Sequence, residues 1–264
     1  MQRKETEDET ILAIIKPVFE KHKSRYGYRR VQSEAKSELK GVNHKRIQRI
    51  MRENELFGKQ PKHKYHSYKG DDGESKENLL LDKIVDEQTS VVTLERNFTT
   101  TAPNQKWTTD VSMFKISAGK LYLSPIMDMY DYSIISYDIS INPDFTQTKR
   151  MINRALNQFY DLKGLIFHSD QGWQYQLPYY TQRLANHHFV QSMSRKGHCL
   201  DNAPVESFFH ILKTELLDGL SLFEDITAFQ MMVQDYIHFF NYERVSLKTK
   251  GMTPVEYRNH AMTA

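Results

Sequence analysis

Three carboxylates stand out by the company they keep. Asp110 follows WTT in a β-branched run, Asp170 ends the run LIFHSD, and Glu206 sits in DNAPVESFF where a helical pattern begins. The second and third acids are separated by 35 residues. A single Asp or Glu is most often a cap or a surface charge. Three that can converge from separate elements suggest chemistry. Phosphodiester transfer needs the attacking oxygen activated, the growing charge neutralised and the leaving oxygen stabilised. Two divalent cations about 3.5–4 Å apart do all three. Carboxylate oxygens suit Mg²⁺ or Mn²⁺, and no Cys/His set argues for zinc. Two such ions are therefore expected on Asp110, Asp170 and Glu206. Without metal the three acids repel one another, which raises at least one pKa.

The elements that must hold these acids follow from periodicity. WTTDVSMFKI, KLYLSPIMDMY and SIISYDISI are aromatic and β-branched runs separated by SAG and DYS, a three-stranded antiparallel meander. Asp110 falls inside its first strand, on the face of Thr108 and Ser112. TQTKRMINRALNQFY has helical spacing, LIFHSD is a short buried strand, LPYYTQRLANHH a helix, FVQSMS a last strand and APVESFFHILKTELL a helix. Pro204 suits that helix's first turn, with Asp201 or Asn202 as cap. Val205, Phe208, Phe209, Leu212 and Leu216 make its buried stripe, and Lys213 projects from the side of Glu206, nearly two turns on. The expected fold class is α/β, a ribonuclease-H-like mixed five-stranded sheet flanked by helices, behind a small all-helical helix-turn-helix module.

That module occupies the first quarter. ILAIIKPVFEKH reads as a helix; RYGYRRVQSEAKSEL continues with Val31, Ala35 and Leu39 in register; Asn43 caps HKRIQRIMRENELF. Ile47, Ile50, Met51 and Leu56 face a small core, while Lys45, Arg46, Arg49 and Arg52 point outward. With Tyr26, Tyr28, Arg29 and Arg30 nearby, contact with DNA is favoured over a solvated basic face. Residues 1–69 carry 18 Lys+Arg against 9 Asp+Glu, and residues 70–264 carry 18 against 24, so a net +3 hides a basic front. The expected division is 1–57 as the basic DNA-binding module, 58–103 as a linker with an insertion, 104–220 as the catalytic core and 221–264 as a helical extension. Within the linker, NLLLDKIVDEQTSVVTLERNF has mixed periodicity and reads equally as helix, insertion or strap.

Composition excludes several classes. The single cysteine, Cys199, rules out an internal disulfide framework and fits a reducing compartment. Met1 to Thr10 is too charged for a signal peptide, and no apolar run approaches a membrane span. The expectation from composition is a soluble intracellular protein with no membrane partner.

WTTDVS, LYLSPIMDMY, HSDQGWQY, SMSRKGHCLDNAPVESFFHILKTEL and FNYERVSLKTKGMTPVEYR resemble bacterial insertion-sequence transposases with a retroviral-integrase-like core. RYGYRRV and VNHKRIQRIMRENEL resemble the helix-turn-helix segment ahead of that core, in the group made by frameshifting between two reading frames. The resemblance implies that Asp110, Asp170 and Glu206 are a metal-binding triad and that Lys213 contacts transposon-end DNA. It implies nicking at the element end, attack of the freed 3′-hydroxyl on another phosphodiester, and no covalent protein–DNA intermediate. The first joining is expected to link the two ends of one element through a circle. Partners implied are transposon ends, target DNA, further copies of the chain and an upstream-frame protein, which in the family carries a further helix-turn-helix and a leucine zipper. The resemblance also implies a bacterial cytoplasmic protein, nucleoid-associated when bound. The stretch from Asp71 to Glu95 is longer than the family's link.

Other residues have two readings each. His168 and Trp173 flank Asp170, either lining the active groove, with Trp173 stacking on a base, or covering the sheet edge. Arg195 and Lys196 in RKGHCLDN are placed to hold phosphate. His187 and His188 end a helix as dipole partners. Phe223, Ile226, Phe229, Val233, Tyr236 and Phe240 form the apolar face of a late helix. Two competing functions remain: a hydrolysis-only ribonuclease-H-like nuclease, and a DNA-binding regulatory or inhibitory product of the same element without autonomous activity.

Overall fold

The computed structural model describes residues 2–59, 76–86, 90–159, 162–216 and 225–263. Three helices come first: α1 (Gln2–Lys21), α2 (Tyr28–Glu34) and α3 (His44–Glu53). Asn43 caps α3 as expected, its side chain accepting from the Lys45 N–H at 2.8 Å. Ile47, Ile50 and Met51 are buried. Two boundaries differ from the sequence expectation. α1 begins at Gln2 rather than Ile11, which brings the acids Glu7 and Asp8 into a helix that faces α3. α2 stops at Glu34 because Ala35 leaves helical geometry (φ −94°, ψ 36°). Ala35 and Leu39 stay buried all the same, since turns with Ala35 N–H to Val31 O and Leu39 N–H to Ala35 O keep the spacing.

The polar stretch expected as a linker lies largely outside the described residues. After it the chain forms a β-hairpin, β1 (Leu81–Val85) and β2 (Val92–Arg96), so of the open readings of this stretch the helix is not the one observed. Ile84, Val85, Val92 and Leu94 are exposed on it.

The core sheet contains β3 (Lys106–Thr109), β4 (Ser112–Ile116), β5 (Gly119–Asp128), β6 (Ile134–Ser140), β7 (Ile166–Ser169) and β8 (Val190–Met193). Thr109 pairs with Ile126 and Ser112 with Leu123, so β3 and β4 run in one unbroken register along β5. They are one strand interrupted at Asp110–Val111, and the sheet has five strand positions. Asp110 therefore lies at a break, not inside a strand. The cause is local: the same register sets Pro125 opposite Asp110, and proline has no N–H for the ladder. The Thr109 hydroxyl takes the Pro125 carbonyl at 2.8 Å instead. β3, β4, β5 and β6 form the expected antiparallel meander, while β7 is parallel to β3 and β8 to β7.

Helices cover both faces. α4 (Phe145–Gln158) and α5 (Pro178–Asn186) pack with Trp107, Ile126, Phe167 and Met193 on one side. α6 (Ala203–Leu216) and α7 (Ile226–Tyr242) pack with Phe114, Leu121, Leu123 and Ile134 on the other. The buried stripe expected on α6 is observed at all five positions. Phe229, Val233, Tyr236 and Phe240 of α7 are buried as expected, Ile226 is partly so, and Phe223 lies outside the described residues. The first three helices share the α6–α7 core, with Ile15, Tyr26, Val31 and Ile50 in the same apolar cluster. α8 (Pro254–Thr263) is tied down by Arg258, which bonds Asp128 and Asp131 at 2.6 Å each. Among the described residues no helix is long and apolar enough to cross a membrane.

Candidate active site

Asp110 and Asp170 stand level with one another. β3 and β7 are parallel with Trp107 opposite Phe167 and Thr108 opposite His168. Carried two residues further, that register sets Asp110 opposite Asp170, each just past the carboxyl end of its strand. Ligand sites of open α/β sheets collect at such ends. Both acids are half-buried. Asp110 folds back to accept its neighbour Val111 N–H at 2.7 Å, and Asp170 accepts Gly172 N–H at 2.9 Å.

Glu206 comes from the other layer, in the first turn of α6. The turn before it is a short 3₁₀ segment, Cys199–Asn202, which contains both of the cap candidates, and each of them makes long-range bonds. Asn202 accepts a short hydrogen bond from the Thr108 hydroxyl and donates to Thr109 O at 3.1 Å. Asp201 is fully buried and takes Arg195, Arg96 and Asn78. Although burial works the other way, the hydrogen bonds from Arg195 and Arg96 hold its carboxyl well below the usual range.

The three acids sense one another. Burial and then Asp170 push Asp110 well above the ordinary carboxylate value, with Glu206 adding to the rise and Lys213 opposing it. Burial likewise raises Asp170, against the Gly172 N–H. Burial, then the charge of Asp170, lifts Glu206 to about 7. Carboxyls raised in this way hold their protons when no cation is present, and a cation would reverse the shift. Their hard oxygens fit Mg²⁺ or Mn²⁺. Among the described residues no three His, Cys, Asp or Glu side chains are gathered tightly enough to hold one ion.

Lys213 is close enough to Asp110 for its charge to matter, although burial lowers its own pKa. Its ammonium lies 5.3 Å from the centre of the Phe114 ring. Tyr175, not singled out from sequence, is buried with a hydroxyl that feels Asp170 and Asp110. Only the HSDQGWQY spacing from Asp170 could have flagged it.

Family models match this architecture piece by piece. An HTH-like domain matches residues 6–64, and integrase core domain models match residues 100–199 and 206–262. The putative transposase InsK for insertion sequence element IS150 of Escherichia coli K12 is 40% identical, over 93% of this chain and 81% of its own length. The chain belongs to the integrase-core insertion-sequence transposases. An uncharacterized transposase-like protein of Haemophilus influenzae is 44% identical to it, over 84% of this chain and 95% of its own length. Among solved structures, the HTLV-2 integrase catalytic core in complex with magnesium aligns with 60% of this chain and 98% of its own, at 18% identity and a TM-score of 0.46.

The remaining candidates of this transposase divide by what holds them. His168 does not line a groove: it is fully buried between Ser192 and Ser194, at 2.8 and 3.0 Å from their hydroxyls. Burial holds its pKa down at about 4, so it is neutral. Trp173 is 54% exposed beside Asp170, as stacking on a base would need. Lys196 is exposed, and Arg195 is engaged with Asp201. Arg30 turns inward to Glu215. Arg46 and Arg49 are gripped by Asp8, with Glu7 and Glu53 assisting. Arg29 and Lys45 are exposed, and among the described residues no acid pairs with either. His187 caps α5 and His188 turns the chain at φ 58°.

Proposed function

We propose that this transposase nicks the ends of its element and joins them by strand transfer, with Asp110, Asp170 and Glu206 holding two Mg²⁺ or Mn²⁺ ions. The observation that carries the reading is the β3–β7 register, which sets two acids level at neighbouring strand ends, with Glu206 charge-coupled to both. When bound, the divalent cations supply charge neutralisation at the scissile phosphate and activation of the attacking oxygen. Water attacks the phosphodiester at the element end, and the bond to the 3′-oxygen breaks to free a 3′-hydroxyl. That oxygen then attacks a second phosphodiester, forming one P–O bond as another breaks. The acids would hold the cations, which in turn would offset the phosphate's charge, and positioning is most of what such chemistry asks of a protein.

The DNA grip is assigned to two regions. Lys213, whose charge reaches Asp110, is assigned to a DNA strand in the site, together with Arg195, Lys196 and Trp173. Arg29, Arg30, Lys45, Arg46 and Arg49 belong to the front module. In the exposed pair, Arg29 and Lys45, the module has charge ready for phosphate. We assign DNA binding to residues 1–57, catalysis to 104–220 and support to 221–264. Two ends must be held together, so the working form is an assembly of copies on DNA.

The test is incubation of the protein with labelled element-end DNA and Mg²⁺ or Mn²⁺. Joined products support strand transfer. Hydrolysis without joining would instead mark a nuclease, and binding with neither a regulator. Glu206→Gln should abolish joining and leave DNA binding intact; joining at the wild-type rate sinks the triad assignment.

A further inference from the structure

Asp201 and Asn202 form a turn held from two sides. Both ends of the Asn202 amide are used on consecutive residues of β3: the carbonyl oxygen accepts from the Thr108 hydroxyl and the nitrogen donates to Thr109 O at 3.1 Å. Asn202 is 2% exposed and Thr108 fully buried, so neither bond competes with water. Asp110 is the next residue after Thr109. On the opposite side Asp201 takes Arg96 Nε at 2.7 Å, from the end of the β1–β2 hairpin, and Asn78 Nδ2 at 2.9 Å, from its approach. Arg195 closes over the same carboxylate through Nε and Nη2 at 2.9 and 3.0 Å.

The helix that starts at Ala203 is a rigid rod, and Glu206 lies about one turn along it. A displacement at Asn202 is passed to Glu206 with little loss. We infer that Asn202 is a positioning residue, whose amide locks the start of α6 to the strand of Asp110 and so sets where Glu206 stands relative to Asp110 and Asp170. Asp201 braces the same turn against the hairpin, which gives that insertion a structural task at its base. The inference rests on the reading of the three acids as the metal-binding set. An ordinary buried Asn needs partners anywhere; this one spends both on the backbone and side chain next to one of those acids.

The decisive substitution is Thr108→Val, which deletes the hydroxyl donor with almost no change of shape, paired with Thr108→Ser, which keeps it. Mn²⁺ binding is measured by calorimetry on the protein alone. Single-turnover joining, affinity for end DNA and thermal melting are measured alongside. Thr108→Val and Asn202→Ala are expected to weaken Mn²⁺ binding and slow joining at least tenfold each, with unchanged DNA affinity. Raised Mn²⁺ should restore part of the rate, and Thr108→Ser should match the wild type. Should Asn202→Ala fail to fold, the Thr108 pair carries the comparison. Wild-type Mn²⁺ affinity and joining in Thr108→Val overturn the inference. If Glu206→Gln loses Mn²⁺ affinity in the same assay, the metal-set reading survives that failure. If Glu206→Gln joins normally, both fall.

Discussion

Arg30 reaches from the front module to Glu215, Nη1 to Oε1 at 2.9 Å, on the same helix that carries Glu206. Glu215 is buried, and Arg244 and Tyr236 complete its shell, with Arg244 Nη2 at 2.8 Å and Tyr236 Oη at 2.9 Å. The Lys59 ammonium adds a bond to its main-chain oxygen at 3.2 Å. The front module is thus latched to the helix of Glu206 by a buried charge. Arg30→Ala leaves Glu215 paired with Arg244 and should cost about 1–3 kcal/mol in urea unfolding. Glu215→Ala strands Arg244 in the interior and should cost about 3–5 kcal/mol. Equal losses for the two variants would mean that Arg244 relaxes to solvent and the latch is not buried in solution.

Gly172 sits where a side chain would strike the site. A Cβ there would lie 2.9 Å from Asp170 Oδ1 and 2.6 Å from Gln174 Nε2. The glutamine end can swing away; the carboxylate cannot do so and keep its hydrogen bond from the Gly172 N–H. Gly172→Ala should therefore reduce joining at least tenfold while shifting the melting temperature by only a few degrees. Unchanged joining would show that Asp170 has slack that its hydrogen bond to Gly172 does not suggest.

The pH behaviour of the metal-free protein has a definite sign. Glu206 titrates at about 7 when folded, against an ordinary 4.5, because of burial and then Asp170. A raised folded pKa contributes stability present below the unfolded value and lost as pH rises through the folded one. Relative to Glu206→Gln, which cannot ionise, wild-type protein should lose melting temperature between pH 5 and pH 8. Divalent metal should erase the difference at pH 8. A gap between the two proteins that stays constant over this range would place Glu206 in solvent. Protons also compete with metal, so half-saturating Mg²⁺ in the joining assay should climb as pH falls below 7.

Charges on α3 differ in availability, and salt titration can separate them. Arg46 Nε and Arg49 Nη2 bind Asp8 at 2.7 and 2.5 Å, while Lys45 is exposed. Removing the cation from one phosphate should flatten the slope of log K against log salt by about 1. Lys45→Ala and Arg29→Ala should each show that change in duplex binding, and Arg46→Ala and Arg49→Ala a smaller one. Asp8→Asn should tighten binding several-fold by releasing both arginines. If Asp8→Asn leaves affinity untouched, this face of α3 is not where duplex lies.

Much of this was legible from residue order because the signals are local. Strand alternation from Trp107 to Ile141, the apolar stripe of α6 and the Asn43 cap each depend on neighbours within a few residues. The three acids were marked by motif and spacing, and the family resemblance rested on the same stretches. Contacts made across long sequence separations were not legible. Only the tertiary structure showed that Arg30 serves Glu215, that Asp8 holds Arg46 and Arg49, that His168 is sealed between two serines, and that Asn202 clips α6 to β3. A side chain's chemistry is intrinsic to its type, but its partners are set by which distant elements the core packs beside it. The sequence by itself determined most of the elements and the acids they carry; only the tertiary structure decided that β3 and β7 pair in parallel, level at Asp110 and Asp170, and that α6 packs close enough for Glu206 to sense their charge.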